Sequence, residues 1–148
     1  MHTPEETVTQ LFIATDQQDW AGVKDAFDTR VLLDYSSMTG SPAAELTPDE
    51  IISAWKGILP GFAHTHHQLG NFLTTQDGAR AKVFCYGTAT HYLQHAEGNV
   101  WTVVGSYNLE LVRQSDGQWK IAAMKFNYKY QDGNLMLPAK AMERLRSE

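Results

Sequence analysis

Up to Ile58 the apolar positions recur at helical spacing, and from Phe62 onward they alternate at a spacing of two. Thr3 with Glu6 three residues on is a capping-box pattern, and Pro4 suits a first helical position, so the first helix is expected over residues 4–17. Its apolar stripe of Val8, Leu11 and Phe12 continues at the same spacing onto Thr15 and Asp16, which places Asp16 on the inward side. Asp19 is the expected cap of a second short helix whose inward residues are Trp20, Val23 and Phe27. Residues 31–35 read as a strand and residues 36–48 as loop, because Gly40, Pro42 and Pro48 interrupt them. A third helix is expected over residues 48–58, capped by Thr47 with Glu50 and carrying Ile51, Ile52 and Trp55. Four strand-like runs then follow, separated by turn signals at Asp77-Gly78, Glu97-Gly98-Asn99 and Asp116-Gly117, and residues 139–146 form a weak helix. Helices first and a meander second predict one α+β domain over residues 1–148, a curved antiparallel sheet with three N-terminal helices on its concave face.

Alternation also sorts residues of one type onto opposite faces. In residues 62–74, His67 shares a face with Leu69 and Leu73, whereas His64 and His66 go with Gln68 and Thr74. In residues 79–92 one face reads Ala79, Ala81, Val83, Cys85, Gly87, Ala89, His91, small side chains that leave a hollow with a histidine at its end. In residues 101–113, Ser106 and Asn108 are assigned to the interior with Val104 and Val112, and the apolar row Trp101, Val103, Tyr107, Leu109, Leu111 to a partner subunit. The expected interior therefore collects Asp16, Tyr35, His67, His91, Ser106 and Asn108. A buried carboxylate needs a partner, and an imidazole beside it gains a fixed tautomer and a raised pKa. A second histidine away from the carboxylate stays neutral, so the two form an acid/base pair.

Composition narrows the classes. The chain has 148 residues with 43% hydrophobic and 20% charged positions, ordinary values for a single globular domain. A net charge of −5 argues against nucleic acid or an anionic membrane as partner. One cysteine, Cys85, leaves no internal disulfide and no cysteine metal cluster, and it reads as a buried structural thiol. His64 and His66 have a chelating spacing but no third ligand, so no metal is expected. The polar start and the lack of an apolar run of membrane-spanning length lead to the expectation of a cytoplasmic protein without a signal peptide.

An ordered set of short segments carries a resemblance: Ala14-Thr15-Asp16, Asp19-Trp20, Leu33-Asp34-Tyr35, Thr65-His66-His67-Gln68-Leu69-Gly70, Ala89-Thr90-His91, Ser106-Tyr107-Asn108-Leu109 and Asp116-Gly117-Gln118-Trp119-Lys120. The chain resembles the SnoaL-like polyketide cyclase and dehydratase family of the NTF2-like superfamily, with the scytalone dehydratase pattern closest. The resemblance implies a cone of curved sheet closed by three helices, no metal or organic cofactor, and a homodimer through the outer sheet face. It further implies a lyase or isomerase that removes a proton beside a carbonyl of a hydrophobic cyclic or polyketide-like molecule. In that scheme His67 is the base, positioned by Ser106, while Asp16 holds His91, Asn108 binds a substrate hydroxyl and Tyr35 polarises the carbonyl. Thr15 stands where the pattern has a first tyrosine, a substrate-binding position with a shorter hydroxyl. Two other readings remain at this stage. One is a non-catalytic small-molecule binding or assembly protein of the same fold. The other is an epoxide hydrolase, ranked lower because Arg30, Arg80, Arg113, Arg144 and Arg146 fall outside the inward faces.

Overall fold

Capping residues start the helices where the spacing predicts. In the computed structural model, which describes residues 2–147, helix α1 runs Pro4–Asp16 and α2 Trp20–Ala26. Both Thr3 and Thr47 complete reciprocal capping boxes with Glu6 and Glu50, each worth about 1 kcal/mol. Strand β1 is Phe27–Asp34, followed by a single helical turn α3 at Ser36–Thr39, a short strand β2 at Ala44–Leu46, and helix α4 at Pro48–Lys56. The segment expected as loop thus holds two short elements, too brief for periodicity to register. A 3-10 turn at Leu59–Gly61 leads into β3 His64–Asp77, β4 Arg80–Tyr92, β5 Val100–Arg113 and β6 Trp119–Gly133, and α5 Leu137–Arg146 closes the chain.

The six strands form one sheet in the order β2-β1-β6-β5-β4-β3. The four long strands are the expected antiparallel meander, but β1 pairs with β6 in parallel. Local pattern identifies a strand and leaves its partner open, and the helical hairpin delivers β1 to the β6 edge running the same way. Val8, Leu11, Val23 and Ile51 from the helices meet Val31, Val83, Leu109, Leu111, Ile121 and Met124 from the sheet, all fully buried. Each such side chain contributes roughly 1.5 to 3 kcal/mol of burial free energy.

Bulges decide which face a residue takes. In β3 the register slips between Gly70 and Leu73, where Asn71 sits in the left-handed region at φ 54°. Leu73 is thereby turned outward to 71% exposure, away from the face of His67 where alternation had placed it. Thr74 turns inward instead and its hydroxyl donates to Glu5 of α1.

The face of β5 is also the reverse of the expectation. Trp101, Val103, Tyr107, Leu109 and Leu111 are buried inside this chain, so they are not a partner surface. Ser106 and Asn108 lie on the uncovered face, where the Asn127 side-chain amide donates to both, at 3.1 and 2.8 Å. Both faces of β5 carry apolar residues, so alternation alone left the choice open. Cross-strand register settles it, because the buried His91 and Cys85 stand directly opposite Trp101 and Tyr107.

Candidate active site

Asp16 is the last residue of α1, one helical turn beyond the buried Phe12. A carboxylate at a helix C-terminus faces the negative end of the helix dipole and needs donors from elsewhere. Strand β3 supplies three of them. As the edge strand it has backbone N–H groups without a neighbouring strand, and the N–H of His67 donates to Asp16 Oδ2 at 2.7 Å. His67 Nδ1 lies 2.7 Å from Oδ1, and the Thr65 hydroxyl donates to the same oxygen at 3.0 Å. Burial pushes the Asp16 carboxyl up, but the hydrogen bonds and charge of His67 and the Thr65 hydroxyl outweigh it and hold its pKa below the ordinary value. The acceptor is a carboxylate, so Nδ1 of His67 carries the proton and Nε2 presents its lone pair.

The two side chains keep a window to solvent, with exposures of 17% for Asp16 and 12% for His67. His91 is deeper. It sits opposite Trp101 on β5, stacked on that indole at 4.3 Å between ring centroids and packed on Phe62 at 4.9 Å. Its Nδ1 donates to the Trp101 carbonyl at 3.0 Å, which again leaves Nε2 unprotonated. Burial is the main reason that its pKa falls to about 4, so His91 is neutral at physiological pH. The two imidazoles stand edge to face, 6.2 Å apart.

The expected pairing is therefore corrected. Asp16 holds His67, not His91, and a backbone carbonyl fixes His91. Ser106 does not position His67 and Asn108 does not reach the interior, because both lie on the opposite face of the sheet. Thr15 is buried, but its hydroxyl donates back to the Leu11 carbonyl at 2.8 Å and is engaged within the helix. Tyr35, the N-cap of α3, turns its phenol inward against Phe126 with ring centroids 5.7 Å apart, and burial raises its pKa. Asp16, His67, His91 and Tyr35 thus share one side of the sheet, and His64 and His66 stay exposed on the other.

Two interior residues escaped the sequence reading. Thr65 shares the face of His67 at i−2, a signal that alternation carried but that went unused. Tyr107 was assigned outward. Its ring lies over Gly87, where a Cβ would come within 2.4 Å of Cε2, so the small residues of β4 seat a ring instead of leaving a hollow. Gly105, paired with Gly87, makes similar room for Phe126. Cys85 is buried, with its thiol pushed up to about 12, and is inert.

Among the described residues no group of three His, Cys, Asp or Glu side chains is placed to hold a metal ion. Among the described residues no helix is long and apolar enough to cross a membrane. Two open clefts, of about 540 and 470 Å³, lie elsewhere: one between α1, α2 and the start of β6, the other on the uncovered face of the sheet. Neither cleft is lined by Asp16, His67 or His91.

Comparison with known proteins bears on the fold and the family. The structure is similar to that of the Kfla4162 protein from Kribbella flavida, with 25% identity, coverage of 92% of this chain and 94% of that one, and a TM-score of 0.85. It is similar to a Novosphingobium aromaticivorans protein provisionally named a scytalone dehydratase, with 19% identity, coverage of 86% and 83%, and a TM-score of 0.74. It is also similar to a type 2 hexachlorocyclohexane dehydrochlorinase, LinA, with 13% identity, coverage of 87% and 84%, and a TM-score of 0.73. No curated protein sequence matches the chain. The fold is the expected NTF2-like one. Residues 5–125 match the model of the SnoaL-like domain, a stretch that includes α1 with Asp16 and the strands bearing His67 and His91, and the chain belongs to that family.

Proposed function

We propose that this protein is a cofactor-independent lyase or isomerase, acting by proton transfer beside a carbonyl on a hydrophobic cyclic molecule. The observation that carries the reading is the Asp16–His67 pair, two hydrogen bonds of 2.7 Å that fix the imidazole with Nε2 free. Held in this way, His67 accepts a proton from carbon while Asp16 stabilises the imidazolium that forms. In an elimination the C–H electron pair becomes the new double bond, the group on the neighbouring carbon departs, and a departing hydroxide takes the proton back from the His67 imidazolium and leaves as water, which restores the neutral base. His91, neutral and ringed by Phe62 and Trp101, is a hydrogen-bond acceptor for a substrate hydroxyl. Two of the similar structures are named for eliminations, one of water and one of hydrogen chloride, which supports an elimination over other uses of this fold.

The test uses β-hydroxytetralone, whose loss of water gives a fluorescent naphthol. The expected result is turnover by the native chain, lost in His67→Ala and reduced about 10² to 10⁴-fold in Asp16→Asn. Binding of the ketone without turnover, unchanged by His67→Ala, points instead to a non-catalytic binding protein.

We also propose a homo-oligomer built through the uncovered face of the sheet. That face carries Leu73, Tyr86 and Tyr130, exposed by 71, 53 and 51%. Side chains of this size on an open sheet favour association.

A further inference from the structure

Strand β3 is tied to helix α1 at both ends, each time by a threonine hydroxyl that donates to a carboxylate. Thr74, near the end of the strand, donates to Glu5 in the first turn of the helix. Thr65, near the start of the strand, donates to Asp16, the last residue of the helix. The bulge at Asn71 allows both, because it turns Thr74 onto the face that Thr65 and His67 already occupy. The two ties differ in what else the carboxylate holds. Asp16 also takes the backbone N–H and the ring Nδ1 of His67, both at 2.7 Å. Those two donors belong to one residue, so neither fixes Asp16 independently of the ring it has to orient. Thr65 does so, reaching Oδ1 at 3.0 Å, the same oxygen that takes Nδ1.

From this geometry we infer that Thr65 is a positioning residue: it locks the plane of the Asp16 carboxylate, so that Nδ1 of His67 keeps its proton and Nε2 stays the free base. The threonine is itself well held. Its backbone is fixed in register opposite His91 on β4, and branching at Cβ restricts its side-chain rotamers. A hydroxyl has a single proton, and here Asp16 takes it, so Thr65 acts through the carboxylate and not as a donor to a ligand. Without that bond the carboxylate is free to turn about its Cβ–Cγ bond, and the ring loses the acceptor that selects its tautomer. The part this plays in catalysis rests on the proton-transfer reading above, whereas the hold on the ring is a property of the resting protein.

The experiment reads the ring nitrogens of His67 by NMR at alkaline pH, where the imidazole is neutral, together with turnover of β-hydroxytetralone. In the native chain the Nδ1 and Nε2 resonances are expected to lie far apart, as one tautomer requires. Thr65→Val is expected to draw them together and to lower kcat roughly tenfold with KM unchanged. Thr65→Ser, which keeps the hydroxyl, is expected to restore both. Thr74→Val removes the same kind of tie between α1 and β3 and is expected to leave the ring resonances apart. Resonances unchanged in Thr65→Val, with folding retained by circular dichroism, overturn the inference. So does an equal change in Thr74→Val, which would show that Thr65 serves only to dock the helix, and so does undiminished turnover in Thr65→Val. If Thr65→Val fails to fold, Thr65→Ala takes its place. A native chain that turns over no ketone, with the response of the ring intact, removes the proton-transfer reading and leaves the hold of Thr65 on the pair standing.

Discussion

Asp16 grips His67 twice, its Oδ2 taking the backbone N–H and its Oδ1 the ring Nδ1, both at 2.7 Å. One carboxylate thus fixes both the strand position and the tautomer of one residue. Nitrogen NMR is expected to show His67 with the proton on Nδ1, and Asp16→Asn to lose that single tautomer. A mixture of tautomers in the native chain would contradict the geometry.

His91 predicts a stability profile. Its folded pKa is near 4 against an ordinary 6.5, so between those values the unfolded chain binds the proton that the folded chain refuses. Its contribution is complete above pH 6.5 and is lost as pH falls to 4, a change of about 3 kcal/mol by linkage. Asp16, with its pKa lowered, acts in the same direction at lower pH. Urea titrations across this range should show the loss in the native chain and a smaller one in His91→Gln, and equal slopes would count against the buried neutral imidazole.

Gly87→Ala should destabilise by about 1 to 3 kcal/mol through overpacking against Tyr107. Thermal unfolding of the single variants and of Gly87→Ala with Tyr107→Leu provides the cycle. The alanine penalty is expected to shrink when the ring is absent, and full additivity would show that the two do not meet.

Leu73→Glu with Tyr86→Lys should dissociate the proposed oligomer without unfolding it, since both side chains are exposed on the uncovered face. Sedimentation equilibrium reads the outcome. A native chain that is monomeric at all concentrations removes the proposal.

Much of the architecture was readable from local chemistry. Thr3, Asp19 and Thr47 announce their helices because a cap acts on N–H groups two or three residues away, and Asp16 falls inward because it repeats the position of Phe12 one turn later. His67 and His91 separate from His64 and His66 by the two-residue period of the strand. None of this needed a distant neighbour. Tertiary structure decided what depends on distant neighbours: which face of β5 is covered, with Tyr107 inside and Ser106 and Asn108 outside, where the Asn71 bulge reverses β3, and which histidine Asp16 meets. Period assigns residues to alternate sides but carries no sign, and a hydrogen bond between residues 51 positions apart depends on the path of the chain between them.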